Sequence, residues 1–254
     1  MILAIDVGNT NIVIGCIDGG EILHTFRIGT DVHQTSFEYA VKIKEILDIF
    51  DVDIKLFDGA IMSSVVPPVN KALTDAVKTL MGIDCRVVGP GMKTGINICI
   101  DDPGTLAGDL LTGSVAAVHY YGVPCIVIDM GTATTIFAVD GKKRFIGGAI
   151  MPGINISYSA LSSGTSLLPH ISITAPEKAI GTNTVDCMRS GAVFGNAAMI
   201  DGMIERMEAE IGEKCVVVAT GGLGGSVTKC CRREIIHDDN LILKGLWVLY
   251  EKNK

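Results

Sequence analysis

A short pattern occurs twice in the chain. Asp6-Val7-Gly8-Asn9 follows one apolar run, and Asp129-Met130-Gly131-Thr132 follows another about 123 positions later. An aspartate at such a turn can hold a hydrated divalent cation. The glycine lets the backbone approach a phosphate closely or take a positive φ. The Asn and Thr side chains, with the N–H groups of the turn, can bond phosphate oxygens. A single D-x-G turn is also an ordinary Asx-type turn. Two copies in corresponding places point to phosphate binding, with two hairpins facing each other across a cleft and gripping a nucleoside triphosphate. No GxxxxGK[ST] loop is present, so the grip is not of the Walker type. A later Thr220-Gly221-Gly222 follows a strand-like run; it reads either as a plain strand-to-helix turn or as backbone pressed against an adenosine.

The elements that must position these residues can be read from hydrophobic spacing. Residues 1–7, 12–17 and 22–28 read as strands, with Asp18-Gly19 as a hairpin turn. Residues 37–50 carry apolar positions at helical spacing. A buried strand over 59–66, a helix over 69–80 and a short strand over 85–88 follow. A helical pattern covers 105–121. The opening then repeats: a strand over 125–129, a second over 135–139 ending in Asp140-Gly141, and a third over 144–150. A long helical stretch covers 185–211, a strand 216–219, and a final helix 240–250. The repeat predicts two similar domains, 1–118 and 119–254, with no long linker between them. Their fold class is α/β, each domain a mixed sheet with helices. The stretch over 185–211 could supply a dimer interface or pack on its own sheet.

Composition narrows the classes. Of 254 residues, 48% are apolar and 19% charged, a core-forming balance that excludes intrinsic disorder. The 30 glycines show no three-residue period, which excludes collagen. No apolar run approaches the ~18 residues of a spanning helix, so no membrane partner is expected. The start MILAIDVGNT has no basic region and does not read as a secretory signal. The formal net charge of −7 and the lack of a basic block argue against nucleic acid as a partner. The eight cysteines form no CxxC pair and have no histidine at zinc-ligand spacing; they read as reduced thiols of a cytoplasmic protein. His24, His33, His119, His170 and His237 show no metal spacing and read as structural. Arg27 is either a phosphate partner or a surface residue, the surface role being favoured.

Taken in order, Asp6-Val7-Gly8-Asn9-Thr10-Asn11, Ser63-Ser64-Val65-Val66-Pro67, Val88-Gly89-Pro90-Gly91, Asp129-Met130-Gly131-Thr132-Ala133-Thr134-Thr135, Gly147-Gly148-Ala149-Ile150-Met151-Pro152-Gly153, Gly181-Thr182-Asn183-Thr184 and Thr220-Gly221-Gly222 resemble the actin-like ATPase superfamily, and within it the type III pantothenate kinases. The resemblance runs nearly end to end. It implies two actin-like (ribonuclease H-like) domains with a nucleotide cleft between them, and ATP-dependent phosphorylation of pantothenate, the first step of coenzyme A synthesis. It also implies Mg²⁺, a monovalent cation such as K⁺ or NH₄⁺, and a homodimer built on helices of the C-terminal domain.

By position, the resemblance puts ATP on Asp6, Val7, Gly8, Asn9, Thr10, Asn11, Ile12, Val13 and Thr132. Asp6 would hold Mg²⁺ through water, and Asp129 the monovalent cation. The catalytic aspartate falls at Asp109, with substrate contacts at Ile100, Ala107, Gly108, Asp109, Leu110 and Thr184. Phosphoryl transfer to an alcohol needs such a carboxylate to orient the hydroxyl and accept its proton. On a helix over 105–121, the face around Asp109 carries Thr112, Gly113 and Ala116, small enough to leave room for a ligand or to pack a second helix closely. The acceptor loop departs from the family pattern. Leu110 stands where relatives carry arginine, Ile100 where they carry tyrosine, and Gly113 where they carry asparagine. Arginine offers a fixed fork of charged donors and leucine offers none. The departures leave open a compensated pantothenate pocket, another small hydroxyl acceptor, or a nucleotide-binding homologue with weak transfer.

Overall fold

The structure, a computed structural model, describes residues 1–254. In chain order its main elements are β1 (Ile2–Val7), β2 (Asn11–Asp18), β3 (Glu21–Gly29), α1 (Ser36–Ile49), β4 (Gly59–Ser64), α2 (Pro67–Met81), β5 (Cys85–Val87), β6 (Asn97–Ile98) and α3 (Gly108–Tyr120). There follow β7 (Cys125–Met130), β8 (Ala133–Val139), β9 (Arg144–Pro152), α4 (Ile154–Ser163), α5 (Thr184–Ser190), α6 (Asn196–Ile211), β10 (Val216–Thr220), α7 (Gly224–Val227), β11 (Ile236–His237) and α8 (Leu241–Lys252).

The repeat seen in the sequence is a repeat of topology. The first sheet runs β3-β2-β1-β4-β5 and the second β11-β10-β7-β8-β9-β6. In both, the opening strand pairs antiparallel with the next strand and parallel with a later one, β1 with β4 and β7 with β10. A strand flanked on both edges and covered on both faces needs apolar residues throughout, which is why β1 and β7 read as near-continuous apolar runs.

The repeated Asp-Gly signals make different turns. Asp18 and Glu21 pair across Gly19 and Gly20, both at positive φ, a two-residue hairpin loop that glycine suits. The loop after β8 is longer. There the Asp140 carboxylate accepts the N–H groups of Lys142 and Arg144, each at 2.9 Å, and Lys143 takes the left-handed conformation at φ 59°.

The chain divides into two compact units. One contains Met1–Gly95, Asp102–His119 and Leu241–Lys254; the other contains Ile96–Asp101 and Tyr120–Asn240. A single cut after residue 118 places α8 in the second unit, whereas the fold places it in the first. Three glycines explain the docking. A Cβ at Gly15 would lie 2.9 Å from the Leu243 side chain, one at Gly59 would overlap the Tyr250 ring, and one at Gly245 would overlap the Thr112 carbonyl of α3. α8 thus lies against the first sheet and against α3 with backbone in close approach. Residues 96–101 are the reverse case, an excursion that places β6 beside β9 in the second sheet.

On the opposite face of the first sheet, Leu3, Ile5, Val7, Ile12 and Ile14 form one core with Tyr39, Ile43 and Leu47 of α1 and Val69, Leu73 and Val77 of α2. α1 opens on a capping box, Thr35 with Glu38, and α2 opens on Pro67 at its first position. In the second unit, Ile126, Ile128 and Met130 of β7 pack with Ile200 and Ile204 of α6 and with Val217 and Ala219 of β10. The helical stretch expected over 185–211 is α5, a π-helical turn over Gly191–Gly195, and α6. The interruption falls where Tyr158 Oη leaves no room for a Cβ on Gly191 and where Asn196 Nδ2 donates to the Ala192 carbonyl at 2.9 Å.

Candidate active site

The first D-x-G turn is held from several sides. Gly8 N–H donates to Asn11 O at 2.9 Å, Thr30 Oγ1 donates to Gly8 O at 2.6 Å, and Thr30 N–H donates to Thr10 O at 3.0 Å. Asn9 and Thr10 are exposed at the tip, and Asp6 is half-buried at the end of β1. Val7 and Ile12 bury their side chains in the α1/α2 core, so only their backbone is available to a ligand. The second turn is one residue tighter: Gly131 N–H donates to Ala133 O at 3.0 Å, and Thr132 is exposed.

Strand register fixes what stands beside each aspartate. Asp6 pairs with Ser63 of β4, and Asp129 pairs with Thr220 of β10. Side chains in register on parallel strands share a face. Counting by twos from Gly59, which faces α8, Ile61 and Ser63 lie on the α3/α8 face, as do their partners Ala4 and Asp6. The start of α3 reaches this face: a Cβ on Gly108 would lie 3.2 Å from Ser63 Oγ and 3.7 Å from the Ser64 amide nitrogen. The fold therefore brings Asp6, Ser63, Gly108 and Asp109 to one end of one sheet face.

Asp109 is in the first turn of α3. Burial pushes its carboxyl above the ordinary 3.8, against the lowering effect of bonds from the Leu110 N–H and its own N–H. The Leu110 N–H to Asp109 Oδ1 distance is 2.7 Å. A desolvated carboxyl holds its proton more tightly than a solvated one. Thr112, Gly113 and Ala116 are buried. The small-residue face that leaves room for a ligand also serves close packing, since Thr112 O meets Gly245 of α8.

In the second unit, Asp129 stands against the Thr-Gly-Gly turn. Gly221 sits at φ +94°, and a Cβ there would lie 2.7 Å from Asp129 Oδ1 and from the Met130 backbone. The Gly153 N–H donates to Thr132 O at 3.1 Å, and a Cβ on Gly153 would overlap the Thr132 and Gly131 carbonyls. This explains the glycine that closes the 147–153 motif: it seats the start of α4 on the D-x-G turn. Thr184 is exposed at the start of α5, whose cap is Asn183, accepting the Asp186 N–H at 2.9 Å. Ile100 is partly buried, 3.8 Å from where a Cβ on Gly147 would lie.

Next to Gly222 a cleft of about 550 Å³ is lined by Gly222, Gly225, Ser226, Thr228, Lys229, Ile235, His237 and Asp239. Gly224 and Gly225 leave space for the His237 ring, whose Nε2 is 2.9 Å from Asp239 Oδ1. Sequence spacing gives His237 no role. Its place in this cleft follows from the two-residue strand β11 pairing with β10, a contact with no local sequence signal.

The donor set fits Mg²⁺. No group of three or more His, Cys, Asp or Glu side chains is gathered to cage a metal. Asp6, half-buried at the end of β1, offers the single carboxylate that Mg²⁺ takes when substrate phosphates and water supply its other ligands.

Two sheets of matching strand order, each opening on a D-x-G turn, define the class: an α/β fold of the actin-like type. A ROK family glucokinase from Streptomyces griseus, solved with glucose and AMPPNP, superposes over 98% of this chain and 99% of its own, with a TM-score of 0.50 at 13% identity. A candidate 2-dehydro-3-deoxygalactonokinase from Sinorhizobium meliloti superposes over 99% of this chain and 96% of its own, with a TM-score of 0.62 at 12% identity. Residues 2–206 match the type III pantothenate kinase family. A type III pantothenate kinase of Halalkalibacterium halodurans is 40% identical over 253 residues, spanning the whole of both chains. The chain belongs to the type III pantothenate kinase family, a family of ATP-dependent kinases that phosphorylate pantothenate in coenzyme A synthesis.

Proposed function

We propose that this chain transfers the γ-phosphoryl group of ATP to the hydroxyl of pantothenate, giving 4'-phosphopantothenate and ADP, with Asp109 as proton acceptor. The observation that carries this reading is the convergence of Asp6, Ser63, Gly108 and Asp109 on one sheet face, with the Asp109 carboxyl desolvated. Asp109 takes the proton of the acceptor hydroxyl as that oxygen attacks the γ-phosphorus and the bond to the ADP oxygen breaks. Phosphoryl transfer needs little else beyond positioning and charge stabilisation.

The segment Asp6, Val7, Gly8, Asn9, Thr10, Asn11, Ile12 and Val13 contacts the triphosphate, Val7 and Ile12 through backbone alone, and Thr132 adds a hydroxyl. Asp6 would hold Mg²⁺ through water, and Mg²⁺ supplies positive charge against the phosphates. Asp129, pressed against Gly221, would hold a monovalent cation, K⁺ or NH₄⁺. The cleft beside Gly222 takes the adenosine. The acceptor lies against Ile100, Ala107, Gly108, Leu110 and Thr184. We place the protein in the cytoplasm, a reading supported by its eight free cysteines; no helix is long and apolar enough to cross a membrane. We also infer a homodimer formed through the second unit, where Ile150, Leu167 and Ile180 are 70%, 89% and 83% exposed.

One observation favours a second reading. The Leu110 side chain, beside the proposed base, offers no donor to an anionic or strongly polar acceptor. Loss of a charge-assisted bond costs on the order of 2 kcal/mol, roughly thirty-fold in affinity or rate. This suits another small hydroxyl compound as acceptor, or weak transfer. Screening hydroxy acids and sugars for acceptor-dependent ADP release separates the readings: turnover with pantothenate above all other compounds supports the first, and turnover with another compound alone overturns it.

A further inference from the structure

Ser63, Ser114 and Thr134 each bury a hydroxyl that has no hydrogen-bond partner. Such a group costs free energy unless something satisfies it, and one kept beside an active site needs an explanation. Ser63 is the one that faces the start of α3. It is fully buried, its register partner is Asp6, and its Oγ faces the first turn of α3 across the gap left by Gly108. Any side chain at 108 would press on that hydroxyl.

The first turn of α3 has an unusual cap. Asp109, inside the turn, accepts the Leu110 N–H and its own N–H with its carboxylate. A carboxylate held this way is a poorer base, because N–H bonds favour its ionised form. It is also bonded to its own stretch of backbone. An orphan acceptor and an engaged carboxylate therefore stand at the same helix end.

We propose that Ser63 is a positioning residue that takes over the first-turn N–H groups of α3 from Asp109, releasing the carboxylate to the acceptor hydroxyl. The exchange keeps the helix end capped in both arrangements. When Asp109 faces its own backbone, Ser63 is unpaired; when Asp109 turns to the substrate, Ser63 Oγ accepts the N–H it leaves. The inference rests on Asp109 being the proton acceptor.

The test is steady-state kinetics on Ser63→Ala, Ser63→Cys and Ser63→Thr, each checked for a folded-state circular dichroism spectrum, beside Asp109→Asn. The thiol of Ser63→Cys keeps the shape but accepts weakly, so it decides the matter if the alanine variant fails to fold. Expected are a fall in kcat of about tenfold in the Ala and Cys variants, one hydrogen bond's worth, KM values for ATP and pantothenate within about twofold, and most of the loss restored in Ser63→Thr. A kcat within about twofold of the parent in Ser63→Cys overturns the proposal. So does a threonine variant as slow as the cysteine one, which would mark a packing role. Normal turnover in Asp109→Asn would instead remove the proton acceptor itself, whatever the Ser63 variants show.

Discussion

Asp6 and Ser63 stand side by side on adjacent parallel strands, and Asp129 and Thr220 repeat the relationship in the second sheet. Each pair joins an acidic residue at the end of an opening strand to a hydroxyl at the end of the parallel strand beside it. The chain has used one device twice. The copies then diverge: after Ser63 the chain runs through Val65 and Val66 into Pro67 and α2, and after Thr220 it enters Gly221 at positive φ against Asp129.

Asp109→Asn tests the proton acceptor. The substitution keeps the size and leaves an oxygen to accept the Leu110 N–H. Turnover with pantothenate is expected to fall about 10²- to 10⁴-fold, with ATP affinity within about threefold by isothermal titration. Turnover at the parent rate would refute the role given to this residue.

The same substitution carries a stability prediction of definite sign. Burial raises the folded-state pKa of Asp109 above 3.8, so the folded state holds this proton more tightly than the unfolded chain. Its contribution to stability is fully present below the unfolded value and is lost as pH rises through the folded one. At pH 7 the ionised carboxylate is a cost, and Asp109→Asn should raise the melting temperature there, with the gain shrinking as pH falls through the folded value and gone below about pH 4. Melting curves at pH 7 and pH 3.5 read this directly; a lower melting temperature at pH 7 would contradict it.

Glu208 has the opposite sign. Burial alone would raise its carboxyl, but the Lys214 hydrogen bond, the Cys215 N–H and the Arg233 charge overcome that and hold it below the ordinary 4.5. Lys214 Nζ lies 2.6 Å away and Arg233 Nη2 3.0 Å away, and Glu208 itself is 5% exposed. This stabilisation is present above the unfolded value and is lost as pH falls through the folded one. Glu208→Gln should cost about 2–3 kcal/mol at pH 7 and less at pH 3.5, as measured by urea unfolding. An equal cost at both values would show that shape, not charge, is at stake.

Gly245→Ala should separate α8 from α3. The added methyl would meet the Thr112 carbonyl one turn beyond Asp109. Overpacking of this kind costs about 1–3 kcal/mol, and a displaced α3 carries Asp109 with it. A lowered melting temperature with a lowered kcat is expected. Full activity at a reduced melting temperature would mean that α3 holds its place without α8.

Leu110→Arg probes the acceptor loop. If Leu110 has weakened the grip on a polar acceptor, the arginine should raise kcat/KM for pantothenate by about tenfold or more, with KM for ATP unmoved. Unchanged kinetics would show that other groups already supply what leucine lacks.

Much of this was legible before any coordinates. The apolar runs of β1 and β7, the paired D-x-G turns and the strand after each Asp-Gly signal follow from local chemistry, and they sufficed for two sheets of like order. What escaped depends on contacts far apart in sequence. β6 has two residues and exists because Asn97 and Ile98 find the edge of β9. α8 looks like any apolar helix; its membership of the first unit is set by Gly15, Gly59 and Gly245 together. α4 carries weak spacing and starts where Gly153 meets the Thr132 carbonyl. At the site, Asp109 and Ser63 both fall in motifs of the sequence, while the place of Ser63 beside Asp6 and the start of α3, and that of His237 in its cleft, emerge only from register and from the space that nearby glycines leave.

The central claim is best met by measuring ADP release from the purified, folded protein with ATP, Mg²⁺ and K⁺, with and without pantothenate. Release that requires pantothenate, and falls when K⁺ is replaced by Na⁺, is the predicted result. Release at the same rate without pantothenate, or none in protein that binds ATP, would contradict the claim that this fold phosphorylates that acceptor.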